Sequence, residues 1–158
     1  MIDARLTGPD DRRHLVALLT AMDVHYQPRL PPHAPARVEA MLDLIERDRA
    51  FGTRFALAFD GSDAVGIACF ALLHPGHQLG GLLFLKDLFV RAERRNGGAG
   101  SALMGFLARH AAETGCKRID LTTETEAALR LYTRLGAKVE PKTFLRFEGD
   151  ALARLAAG

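Results

Sequence analysis

Arg94 to Gly100 packs two arginines and three glycines into seven positions, directly ahead of Leu103, Met104, Leu107 and Ala111 at helical spacing. Where a helix begins, its first amides have no partner inside the helix, and the dipole there is positive. Glycine lets a bulky anion approach the backbone, while Arg94 and Arg95 add formal positive charge. The chemistry this suits is the holding of a pyrophosphate. Its donors would be the backbone of Asn96, Gly97, Gly98, Ala99, Gly100 and Ser101, with Arg95 supplying charge. Two other phosphate patterns fail. The P-loop's closing Gly-Lys-Ser/Thr is absent after Gly100, and the dinucleotide pattern's third glycine is replaced by Met104. The plain alternative is a glycine-rich turn before an ordinary helix.

Three stretches carry a resemblance. Arg95-x-x-Gly98-x-Gly100 resembles the coenzyme A pyrophosphate motif of the GNAT superfamily of acyl-CoA-dependent N-acetyltransferases. Ala128 to Ala137, ALRLYTRLGA, resembles that family's tyrosine-bearing helix. Leu83 to Val90, LFLKDLFV, resembles the equivalent strand of the spermidine/spermine acetyltransferase branch. The implied substrates are acetyl-CoA and a primary amine on a small molecule or a protein. The resemblance implies that backbone groups of Leu88, Phe89 and Val90 bond the pantetheine arm, and that an amide of Leu88 or Phe89 meets the thioester oxygen. It implies that Tyr132 protonates the leaving thiolate, since a phenol with a free pKa of about 10 is neutral at pH 7. On the apolar stripe of its helix Tyr132 alone reads as a core residue, but its place seven residues after a capped helix start, downstream of the glycine loop, favours the acid role.

Two departures from the pattern bear on the chemistry. The branch's glutamate is replaced by Lys86, which cannot act as a base while charged and would repel a polyamine cation. Asp87 is then the candidate base, or else a structural carboxylate, with Glu124 a second acid near the expected site. The family's asparagine seven positions before the tyrosine is Thr125, whose hydroxyl could replace it on the pantetheine arm. The acceptor pocket is expected between the first two helices, at His25 and Tyr26 and the prolines after them, with Lys86 and Glu124 facing it. An acyl-CoA-binding regulatory module without transfer activity stays open as the alternative.

The elements that must position these residues read as follows. Ile2 to Leu6 suits a short strand, and Thr7 with Asp10 a capping box. Leu15, Leu18, Leu19 and Met22 place a first helix ending near Asp23. Val24 to Pro35 is a proline-rich connection. Val38, Met41, Leu42 and Ile45 define a second helix, ended by Arg47, Arg49 and Gly52. Thr53 to Phe59 and Ala64 to Leu73 flank an Asp60-Gly61 hairpin signal. His74 to Gly81 is a loop, and a central strand spans Leu82 to Val90. A third helix covers Ser101 to Thr114, and a strand Lys117 to Thr122. Thr123 with Glu126 caps a helix carrying Ala128, Leu131, Tyr132 and Leu135, stopped by Gly136. Thr143 to Phe147 reads as a last strand, Ala137 to Glu140 as an additional one, and Gly149 to Ala156 as a terminal helix. The expected fold is α/β (α+β) and GNAT-like. Its sheet is central, twisted, mixed and mostly antiparallel, with six to seven strands and about four main helices on both faces.

At 158 residues, with 48% hydrophobic residues, the chain suits one domain around one sizeable core. A net charge of +2 and no basic run longer than two give no reason to expect nucleic acid as a partner. No apolar run approaches membrane length and no leader is evident, so a cytoplasmic protein is expected. Cys69 and Cys116 suit core positions, and no metal site is expected. Phe144, Leu145 and Phe147 near the C-terminus suit either core or a homodimer contact.

Overall fold

The computed structural model describes residues 1–26, 35–47, 52–73 and 80–157. Its elements are β1 (Ile2–Leu6), a 3-10 turn (Pro9–Asp11), α1 (Arg12–Tyr26), α2 (Pro35–Arg47), β2 (Thr53–Asp60), β3 (Asp63–Leu73) and β4 (Gly81–Val90). A second 3-10 turn (Ala92–Arg94) follows, then α3 (Ala99–Glu113), β5 (Cys116–Leu121), α4 (Glu126–Arg134) and α5 (Gly149–Ala157). Most of the proline-rich connection, the Arg49 helix-end signal and most of the His74–Gly81 loop lie outside the described residues.

The strands lie in sequence order. Neighbours β1 to β4 are antiparallel, and β4 and β5 are parallel. The parallel step follows from chain order, because the β4–α3–β5 crossover returns the chain in the same direction. Each face of the sheet carries its own core. On one, Ala56, Ala58, Phe70, Leu83 and Leu85 pack against Leu103, Leu107 and Ala111 of α3. On the other, Phe55, Leu57, Ile67 and Phe89 pack against Leu15, Leu18 and Leu19 of α1 and Val38 and Leu42 of α2. Met41, expected on that inner stripe, is 41% exposed instead. Arg12 ties the two helices together through Asp43, Glu46 and the Glu39 carbonyl.

Among the described residues the sheet has five strands, not six or seven. Residues 137–148 have no regular secondary structure, with a turn bond from Lys142 N–H to Glu140 O at 2.9 Å, and no ladder bonds pair them with a described strand. The pattern at Thr143 to Phe147 is strand-like, yet a strand exists only where a neighbour takes its N–H and C=O groups. Phe144, Leu145 and Phe147 are 66%, 78% and 62% exposed, so the core reading of these residues is also overturned.

Both capping expectations shift register. Gly8, not Thr7, begins the first turn, and the buried Asp11 carboxylate accepts the Gly8 N–H at 2.7 Å. The same carboxylate is gripped by the Arg5 guanidinium at 2.6 and 2.8 Å, which holds its pKa down to about 2. Thr7 turns instead to the Phe55 carbonyl. At α4 the cap is Thr125, whose hydroxyl oxygen accepts the Ala128 N–H at 3.3 Å, while Thr123 accepts the N–H of Thr125. In both places the residue beside the turn has the extended backbone a cap requires, and side-chain spacing alone does not reveal it.

Candidate active site

The site is built around an irregularity in β4. Cys69 of β3 pairs with Asp87, but the next pair is Phe70 with Leu85, so Lys86 is an extra, unpaired residue. A bulge of this kind reverses which face the following side chains point to. Leu83 and Leu85 face α3, whereas Phe89, four positions further in the same parity, lies in the core beneath α1. Leu88 and Val90 move to the α3 face in exchange. Asp87 is thereby carried to the face where the C-terminal end of α1 lies.

The same strand separates from its neighbour. β4 pairs with β5 only over Gly81 to Leu85, against Cys116 to Leu121. From Lys86 to Val90 its only strand partner among the described residues is β3. The edge of Leu88, Phe89 and Val90 that faces away from β3 has no strand neighbour among the described residues. One of its carbonyls, Val90 O, accepts the Arg95 Nε–H at 3.2 Å.

Beyond this gap lies the glycine turn. Asn96 has φ 63° and Gly98 φ 89°, both left-handed. Asparagine tolerates that region and glycine occupies it freely. Gly98 caps α3, and the first helical bond runs from Ala102 N–H to Gly98 O at 2.9 Å. The amides of Ala99, Gly100 and Ser101 therefore precede the helical ladder. A side chain at Gly98 would project into open space, so a ligand can reach the backbone there. Gly100 is needed for a different reason. A Cβ would sit 3.2 Å from Leu131 of α4 and 3.8 Å from Leu88 of β4, so the turn, the strand and the tyrosine helix close on this one glycine. Arg94 pairs with Asp60 and Asp63 of the hairpin, leaving the charge beside the turn to Arg95.

The end of α1 supplies the remaining wall. The helix continues to Tyr26 rather than stopping near Asp23, since no proline interrupts it before Pro28. His25 and Tyr26 are consequently its last turn, not part of a loop. The His25 ring lies 5.7 Å from the Phe89 ring and 3.3 Å from the Arg95 guanidinium. Burial, then the Arg95 charge, lower its pKa. Burial, then Asp87, raise that of the half-exposed Tyr26.

Tyr132 is 8% exposed, and its pKa is pushed up to about 12, first by burial and then by Tyr26 and Asp87. Tyr26 and Asp87 are thus close enough for their charges to act on Tyr132. Asp87 accepts an ion-pair hydrogen bond from Lys86 at 2.7 Å, and this bond is the main cause of the raised Lys86 pKa. Glu124, on the loop after β5, is exposed. Thr125 is occupied in part as the α4 cap, its hydroxyl keeping its proton and one lone pair for a ligand.

Cys69 is the neighbour that sequence reading missed. It lies across from Asp87, is 8% exposed, and burial followed by Asp87 pushes its thiol up to about 11. A thiol so protonated is a poor nucleophile. Only the pairing register brings it here, so no local signal could have identified it. Two cavities lie away from this site, one of about 590 Å³ between α1, α2 and β2, and one of about 280 Å³ by the β2–β3 hairpin. Neither is lined by Asp87 or Tyr132.

Comparison with known proteins gives a consistent picture. Residues 18–137 match the sequence model of the acetyltransferase (GNAT) family. Thialysine N-epsilon-acetyltransferase of Bos taurus is 34% identical over 80 residues, covering 47% of each chain. Its Sus scrofa counterpart is 31% identical over 102 residues, 61% of this chain and 59% of that one. The chain thus matches about half the length of these curated relatives. Among solved structures, an integron cassette protein from the mobile metagenome of V. cholerae superposes with a TM-score of 0.84 at 26% identity, over 99% of this chain and 98% of that one. A transcriptional regulator from Bacillus halodurans C-125 shares the fold, with a TM-score of 0.75 at 23% identity over 92% of this chain and 99% of that one.

Proposed function

Since the chain belongs to the acetyltransferase (GNAT) family, we propose that it transfers an acetyl group from acetyl-CoA to a primary amine by direct attack. The observation that carries this is the second half of β4, open on one side and ending at a left-handed glycine turn. Those two features fit the two ends of coenzyme A. The amides at Gly98 to Ser101 suit its pyrophosphate, and the free edge of Leu88 to Val90 suits its pantetheine amides. Bound there, acetyl-CoA would supply an activated acetyl thioester.

The chain's own residues then have defined tasks. An amide of Leu88 or Phe89 is available to stabilise the developing negative charge on the carbonyl oxygen. Asp87, directly or through water, takes the proton from the attacking amine. The new C–N bond forms as the C–S bond breaks, and Tyr132 gives its proton to the departing sulfur. A pKa of about 12 keeps that proton in place throughout the neutral range. Direct attack is favoured over an acyl-cysteine route because the Cys69 thiol is held protonated by burial.

For the acceptor, the Lys86 ammonium beside Asp87 disfavours a polyamine, whose extra cations it would repel. An amino acid with a side-chain amine, the type of acceptor named for the mammalian relatives, brings a carboxylate that Lys86 can receive. The deciding measurement is thiol release from acetyl-CoA with a panel containing thialysine, lysine, spermidine and a peptide amine. Turnover with any of these, highest for a carboxylate-bearing amine, is expected. Coenzyme binding without turnover on any amine would leave a binding module in place of the enzyme.

A further inference from the structure

Arg95 has no carboxylate partner among the described residues, yet its guanidinium is held at two points. Its Nε–H donates to the Val90 carbonyl at 3.2 Å. Its Nη2 lies 3.4 Å from Nδ1 and 3.3 Å from Nε2 of His25. The imidazole is packed in turn, its centroid 5.7 Å from that of Phe89 and 5.2 Å from that of Tyr26. The Arg91 N–H bonds Val65 O, so Val90 itself turns its carbonyl away from β3, onto the edge proposed for the coenzyme. Arg95 thus occupies a group which that edge would offer, and a pyrophosphate must draw it from these partners.

The charge on His25 decides how firmly Arg95 is kept. A guanidinium only donates, so it needs a ring nitrogen with a lone pair, which neutral imidazole has and imidazolium lacks. A protonated ring at this distance would repel it. The surroundings of His25 leave that balance to Arg95. From the turn Arg95 faces the ring, and from β4 the uncharged Phe89 does. From its own helix the neighbour is Tyr26, a phenol under the influence of Asp87, Lys86 and Arg95. Burial, then Arg95, hold the imidazole towards its neutral form.

We infer that His25 is a positioning residue for Arg95: neutral, it keeps the guanidinium folded on the end of β4, and on taking a proton from solvent it releases Arg95 to the coenzyme pyrophosphate. This rests on the coenzyme reading above and adds to it a coupling between coenzyme capture and a proton. Once the negative pyrophosphate lies against Arg95, the repulsion that resisted an imidazolium is offset. The bound chain therefore keeps His25 protonated to a higher pH than the unbound chain does. Binding takes up a proton, and affinity must rise as pH falls. The gain is complete below the titration of the unbound chain and is lost as pH rises through that of the bound chain.

Calorimetric titration with acetyl-CoA between about pH 8 and pH 5.5, in buffers of different ionisation heat, reads both affinity and proton uptake. The ligand's own phosphate monoester titrates at about 6 and works in the opposite direction, so the result is the difference between the parent and His25→Gln. Glutamine can still accept from Arg95 but takes no proton. The two chains should bind alike at the alkaline end. Towards acid, the parent's affinity should gain on the variant's by about fivefold or more, with greater proton uptake near the middle of the range. Parallel profiles with equal uptake, including a uniform loss of affinity in the variant, overturn the inference and leave His25 a packing residue. A measurement without coenzyme separates this from the coenzyme reading. The His25 ring signal, identified by its loss in His25→Gln, is titrated by NMR in the parent and in Arg95→Gln. Its midpoint should move up when the Arg95 charge is removed, and an unmoved midpoint overturns the inference. A moved midpoint in a chain that binds no acetyl-CoA overturns the coenzyme reading and the coupling with it.

Discussion

The two halves of β4 differ in composition and in structure: GLLFL carries no charge, whereas KDLFV opens on a lysine and an aspartate. Gly81 to Leu85 is laddered on both sides, by β3 and by β5, and Leu83 and Leu85 are 0% and 2% exposed. Lys86 to Val90 is laddered by β3 alone, and Asp87, Leu88 and Val90 are only partly buried. The first half holds the fold together. The second gives up one ladder, and the groups it leaves unpaired are those a ligand can use. A bulge of one residue at Lys86 marks the boundary. The lesson is that a binding edge can be cut from the middle of a sheet without an exposed strand, provided the other half of the same strand stays fully paired.

The sharpest break in this comparison is expected at Tyr132, which serves the open half. Tyr132→Phe keeps the ring and its packing against the α3 core, removing only the proton donor. A fall of about 10²- to 10⁴-fold in kcat, with coenzyme affinity nearly unchanged, is expected from steady-state kinetics and calorimetry. A rate close to the parent's would make Tyr132 a core residue and nothing more.

Stability should separate the halves next. Leu85→Ala, in the closed half, is expected to cost about 2–5 kcal/mol in urea unfolding. Leu88→Ala, partly buried in the open half, should cost about 1 kcal/mol. Equal losses would mean that the open half is as structurally committed as the closed one.

A smaller effect is expected on the coenzyme. Gly98→Asp places a side chain at φ 89° and a negative charge beside the turn. Calorimetric titration with acetyl-CoA should show a loss of roughly tenfold or more, from about 1–2 kcal/mol of left-handed strain and the added repulsion. Unchanged affinity in a folded variant would remove the cradle from the site.

The smallest effect is a pH dependence. The folded state keeps protons on Cys69 up to about 11 and on Tyr132 up to about 12, whereas the unfolded chain loses them near 9.0 and 10.0. The unfolded state thus binds fewer protons in that window, and stability must fall as pH rises from about 9 to 12. Cys69→Ala should remove the earlier part of the fall, leaving the part due to Tyr132. Asp11 acts at the opposite end, since Arg5 lowers its pKa from 3.8 to about 2. The stability it adds is present above 3.8 and lost as pH falls toward 2, and thermal melts across both ranges would record it.

Much of this was legible in the residues themselves. Glycines at 98 and 100 after Arg95, and a tyrosine on a helix stopped by Gly136, are local features whose meaning depends on backbone freedom and spacing over a few positions. The same holds for the hairpin at Asp60-Gly61, where Gly61 does take a left-handed φ of 61°. Local patterning could not reveal which groups share a space. The bulge at Lys86 is a property of the β3–β4 register, and it decides that Asp87 faces the end of α1 with Cys69 across from it. The continuation of α1 to Tyr26 brings His25 against Phe89 and Arg95 through tertiary contact. The missing strands show the same limit. Thr143 to Phe147 has the β-favouring residue types of a strand, but residue type describes side chains, while a strand is defined by where its backbone hydrogen bonds go. The sequence by itself determined the chemical groups and the local turns that present them. Only the tertiary structure decided which of those groups meet, because register and pairing depend on residues far apart in the chain.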